Sequence, residues 1–136
     1  MPEHTKEMII GIAWLAAVAA GLPDPGLFVK QIGLESGDFQ AWPVNETSGC
    51  YGPAQLNPRF FPPEQFDTPE KNIQQGARLM KAWLDKYNGD YTRALVAYNW
   101  GPGNLDRLLE IYPASWRMYL PAQPRLYLRK ILGDGK

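Results

Sequence analysis

The residue in this 136-residue chain best placed to do chemistry is a glutamate near the end of a predicted helix. At 100° per residue, Leu27, Phe28, Ile32 and Leu34 span a broad apolar arc, and Glu35 projects into that arc between Leu27 and Phe28. A carboxyl group so placed is poorly hydrated, which disfavours its charged form and raises its pKa. That is the condition for donating a proton near neutral pH. The same spacing fits a carboxylate at a helix end that turns to water or pairs with a base, and periodicity alone leaves both readings open. A two-carboxylate mechanism needs a second acid at a fixed separation. Asp38, three residues on, and Glu46, Glu64 and Asp67, in predicted loops, are the other acids nearby, and none stands out as the partner. One cysteine, Cys50, and one histidine, His4, exclude an internal disulfide, a Cys/His zinc cluster and a Ser/His/Asp triad.

The elements that must position Glu35 are legible from caps and breakers. A first helix covers about residues 6–20 and stops at Gly21, with Pro23 and Pro25 beyond it. Asp24 is the N-cap and Pro25 the first residue of the second helix, which runs to about Ser36. Residues 37–67, broken by Trp42-Pro43, Gly52-Pro53, Asn57-Pro58 and Pro62-Pro63, form a long loop with at most short turns or a small hairpin. Such a loop inside a compact domain is often functional. Thr68 and Pro69 open a third helix that Asn88-Gly89 closes. A fourth covers Thr92 to Tyr98, a bend follows at Gly101-Pro102-Gly103, and further helices cover about Asn104 to Ile111 and Pro124 to Leu132. The expected fold is mainly α.

Fourteen basic and fourteen acidic residues cancel, so no overall pull towards nucleic acid or anionic lipid is expected. The acids gather in residues 35–70 and the bases in residues 117–136, a polarity that two balancing solvated faces explain. The uncharged run from Met8 to Leu22 falls short of the roughly 20 residues of a spanning helix. Glu3 and Glu7 ahead of it do not suit an export signal, so the run reads as a buried first helix.

Four blocks in order give a more specific reading. Glu35-Ser36, Gly49-Cys50-Tyr51-Gly52-Pro53-Ala54-Gln55-Leu56-Asn57-Pro58, Ala97-Tyr98-Asn99-Trp100-Gly101-Pro102-Gly103 and Leu120-Pro121-Ala122-Gln123-Pro124-Arg125-Leu126-Tyr127-Leu128 follow one another along the chain. Together they resemble the catalytic domain of the soluble lytic transglycosylases, relatives of goose-type lysozyme, from about residue 8 to residue 132. The chain departs from the family pattern at Trp100, at Pro53-Ala54 in place of Leu-Met, and at Glu46 where a serine is usual.

The resemblance implies a lysozyme-like single domain over residues 1–136, with the long loop or hairpin after the catalytic helix. It implies that Glu35 is the one acid/base, cleaving the bond between N-acetylmuramic acid and N-acetylglucosamine and leaving a 1,6-anhydro end, with no cofactor and no metal. Ser36, Tyr51, Gln55, Tyr98, Asn99 and Tyr127 are the expected substrate-binding residues. Gln55 and Asn99 carry amides that donate to and accept from sugar hydroxyls, or equally fix a turn. Tyr98 and Tyr127 offer a ring face for a sugar and a hydroxyl able to hold the Glu35 carboxyl, or pack in the core. Trp42, Tyr51 and Trp100 suit stacking on a glycan or packing under their own loops. The expected partner is a peptidoglycan glycan strand, met outside the cytoplasmic membrane by a monomer or by part of a phage particle or secretion apparatus. Without a persuasive export signal, virion carriage, release by a holin or specialised secretion fits best. Two rivals remain open: goose-type hydrolysis of the same bond, and a non-catalytic peptidoglycan-binding module.

Overall fold

A computed structural model describes residues 4–133. Six α-helices follow in chain order: α1 Lys6–Ala20, α2 Pro25–Glu35, α3 Pro69–Lys86, α4 Tyr91–Trp100, α5 Pro102–Ile111 and α6 Ala122–Leu132. Short 3-10 helices lie at Pro63–Gln65 and Trp116–Tyr119. Among the described residues there is no strand, and the fold is mainly α, as the sequence implies. The described residues fall into two compact units, one up to Lys81 and the other from Ala82 onward.

In the first unit the expected caps are in place. Thr5 accepts from the Met8 amide at 3.2 Å to start α1, and Gly21, at φ 80°, ends it in the left-handed region where a side chain would be strained. Asp24 accepts from the Leu27 amide at 3.1 Å, and Pro25 occupies a position that has no intrahelical donor to lose. α1 packs against α2. Ile9, Ala13, Ala16 and Ala17 are buried on the first helix and Phe28 and Ile32 on the second. Each of the larger side chains contributes about 1.5–3 kcal/mol by leaving water. The apolar arc of α2 is narrower than its sequence implies, since Leu27 and Leu34 are only half-buried.

The segment between α2 and α3 is ordered by its own bonds. A narrow hairpin-like turn is made by two isolated bridges, Val44 with Tyr51 and Tyr51 with Leu56. Tyr51, Ala54 and Leu56 are buried with Ile73, Ala77 and Met80 of α3 in the core of this unit.

In the second unit α4 packs against both α5 and α6. Ala94, Leu95, Val96, Ala97, Leu105, Leu128 and Ile131 are buried there. The break between α4 and α5 is one residue rather than three: Gly101 alone, at φ 101°, turns the chain, and Pro102 and Gly103 already belong to α5. Proline at the first position of a helix and glycine just outside the preceding one account for this economy. α6 begins two residues before Pro124, whose missing N–H falls in the first turn, where amides are unpaired in any helix.

Candidate active site

α2 ends at Glu35 because the chain there turns left-handed over three successive residues, Gly37 (φ 65°), Asp38 (φ 70°) and Phe39 (φ 66°). Only the first is a glycine, and the other two are held in a region that L side chains rarely visit. Specific contacts offset the strain. The Asp38 amide donates to Gly33 O at 2.8 Å, the Phe39 amide to Ser36 Oγ at 2.7 Å, and Lys6 of α1 pairs with the Asp38 carboxylate at 3.0 Å. The Phe39 ring lies against Gly33, where a Cβ would come within 2.7 Å of a ring carbon. Glu35 therefore sits at the end of a helix that is locked from both sides.

Glu35 is half-buried, and its side chain has no hydrogen-bond or ion-pair partner among the described residues. Loss of hydration pushes its pKa from 4.5 to about 8. The negative end of the α2 dipole acts in the same sense. The group is a carboxylic acid at neutral pH that still reaches solvent, as a proton donor to a bound molecule must. Asp38, Glu46, Glu64 and Asp67 are all exposed, and Asp38 is engaged by Lys6.

Ser36 and Tyr51 are turned to structural partners. Ser36 is fully buried, its Oγ bonded to the backbone of its own turn. Tyr51 is 5% exposed, with its hydroxyl donating to Phe61 O at 2.8 Å and its ring tilted against Trp42 at 5.9 Å. Gln55, at φ 53°, gives its Nε2 to Pro43 O at 3.1 Å and Gly52 O at 3.0 Å, so its donor end fixes the loop. The residue that organises this loop is Asn72, in the first turn of α3 and fully buried. Its Nδ2 donates to Tyr51 O at 3.0 Å and its Oδ1 accepts from the Ala54 amide at 2.8 Å. Gly52, at φ 77°, has no room for a Cβ because the Asn72 amide fills that space. The sequence does not single out Asn72, because it shares the start of its helix with other polar residues and its partners lie 18 to 21 residues away.

In the second unit Tyr98 and Asn99 are successive, half-buried residues of α4, and Tyr127 is buried on α6, which packs against α4. The Asn99 Oδ1 is buried without a hydrogen-bond partner among the described residues. Trp100, half-buried, ends the helix. No group of three or more His, Cys, Asp or Glu among the described residues is arranged to hold a metal ion, and no described helix is long and apolar enough to cross a membrane.

A helical chain with a carboxylic acid at a helix end, a glycine-rich turn carrying Gln55 and a helix ending Ala-Tyr-Asn-Trp-Gly invites comparison with known families. The family model of the transglycosylase SLT domain matches residues 45–115, just over half of the chain. The chain belongs to that family. The match takes in Tyr51, Gln55, Tyr98 and Asn99, while Glu35, Ser36 and Tyr127 lie outside it. Domains of this family are in general lytic transglycosylases that degrade the peptidoglycan of the cell wall, and membership supports an activity of that general type.

Proposed function

We propose that this SLT domain cleaves the β-1,4 bond between N-acetylmuramic acid and N-acetylglucosamine without water, with Glu35 as the one acid and base. The observation that carries this reading is the recessed Glu35 carboxyl, protonated at neutral pH, in a chain whose other nearby acids are exposed. Glu35 gives its proton to the glycosidic oxygen, and the C1–O bond breaks as N-acetylglucosamine leaves with a free 4-hydroxyl. The substrate's acetamido oxygen stabilises the cationic C1. The Glu35 carboxylate then takes the proton of the muramoyl C6 hydroxyl, and O6 bonds to C1 to close the 1,6-anhydro ring. Glu35 ends protonated as it began, and no water is consumed.

Tyr98, Asn99 and Tyr127 are assigned to the glycan, with the unpaired Asn99 Oδ1 accepting from a sugar hydroxyl or acetamido N–H. Gln55 offers its Oε1, its Nε2 being committed to the loop. Ser36 and Tyr51 serve by shaping the turn and loop. We read residues 1–136 as one lysozyme-like functional domain.

The test is mass spectrometry of soluble muropeptides released from peptidoglycan by the purified chain, with Glu35→Gln in parallel. Muropeptides lighter by one water than hydrolytic products, absent with Glu35→Gln, are expected. Hydrolytic products would replace this reading by a lysozyme, and release by the variant would remove Glu35 from its role.

A further inference from the structure

Gln31 lies one helical turn before Glu35 on α2, and the i, i+4 relation puts the two side chains on the same face, with Cβ atoms about 6 Å apart. Gln31 is 1% exposed, and its Nε2 is buried without a hydrogen-bond partner among the described residues. A buried amide in that state destabilises the fold, and glutamine also loses more rotamer freedom on burial than leucine does. Among the described residues Gln31 caps no helix, and its Nε2 ties no loop. Asn72 and Gln55 show the contrast, for the amide nitrogen of each donates to backbone carbonyls.

An amide beside Glu35 has a use that an apolar side chain lacks. A protonated carboxyl presents an O–H that wants an acceptor, and a carboxylate presents only acceptors that want a donor. A primary amide supplies Oε1 to the first and Nε2–H to the second by turning about its last torsion. A carboxylate left bare in a poorly hydrated site is otherwise strongly disfavoured. We propose that Gln31 is a positioning residue for Glu35, taking up the carboxylate with an Nε2–H bond once the proton has left and releasing it when the proton returns. The inference rests on the acid/base reading of Glu35.

Gln31→Met keeps length and volume but cannot hydrogen-bond. In the full chain it is expected to lower kcat on peptidoglycan about tenfold with KM unchanged, while the thermal midpoint stays level or rises because an unsatisfied amide has gone. Unchanged kcat overturns the proposal. So does a fall in the thermal midpoint together with kcat, because packing would explain both. If Gln31→Met folds poorly, Gln31→Leu is scored by the same two readouts. Glu35→Gln run alongside separates the two failures. Activity in that variant sinks the acid/base reading itself, whereas an inactive Glu35→Gln with a fully active Gln31→Met sinks only the role of Gln31.

Discussion

At pH 7 a carboxyl whose pKa lies at about 8 is mostly protonated in the folded chain, while in the unfolded chain, near 4.5, it is mostly ionised. Glu35 therefore favours the fold fully below about pH 4.5, and that contribution is lost as pH rises through about 8. Glu35→Gln cannot ionise and keeps it. The thermal midpoint of the variant minus that of the parent is expected to be near zero at pH 4, to widen up to pH 8 and then to level off; a flat difference would show an unshifted carboxyl. Catalysis has the same limb, because a proton donor must hold its proton, so the rate of muropeptide release should fall as pH rises through about 8. The 3.6-residue period located Glu35 in the sequence. It equally locates Gln31, four residues earlier on the same face, but an amide among apolar residues is conspicuous only once its burial and its missing partner are known. The roles of Ser36 and Tyr51 were hidden for a related reason. Side-chain type gives hydrogen-bonding capacity, and only the fold shows how much of it the backbone has already taken.

At the scale of elements, the helix ends were legible because their signals are local: Asp24 with Pro25, Thr68 with Pro69, Gly21, and Asn88-Gly89 act within a few residues of where they stand. The order of the loop was not legible, since it depends on Asn72, reached 18 to 21 residues later in the chain. Removing that side chain in Asn72→Ala deletes two hydrogen bonds and leaves a void, at an expected cost of about 2–3 kcal/mol in urea unfolding. Gly52→Ala meets both an occupied space and a positive φ, and should lose at least as much. If either variant unfolds at the parental urea concentration, the loop does not depend on this clasp. The left-handed turn after Glu35 is similarly local in sequence yet unreadable from it, because Asp38 and Phe39 adopt conformations that their types do not favour and that Gly33, Ser36 and Lys6 impose.

At the scale of the whole molecule, balanced charge and scarce cysteine and histidine narrowed the chemistry before any fold was known. The family was legible from four short blocks, and its match begins only at residue 45, so the helix that bears Glu35 was placed by caps and periodicity rather than by the match. The folded chain also differs from the unfolded one in its inventory of bound protons. Near pH 7 unfolding exposes Glu35 to water and releases most of a proton into the buffer. The heat of unfolding measured by calorimetry should accordingly depend on the buffer's own ionisation enthalpy, differing between Tris and phosphate by most of one proton's worth. In Glu35→Gln that part of the difference should vanish, which makes the buffer itself a counter for the proton on which the proposed reaction depends.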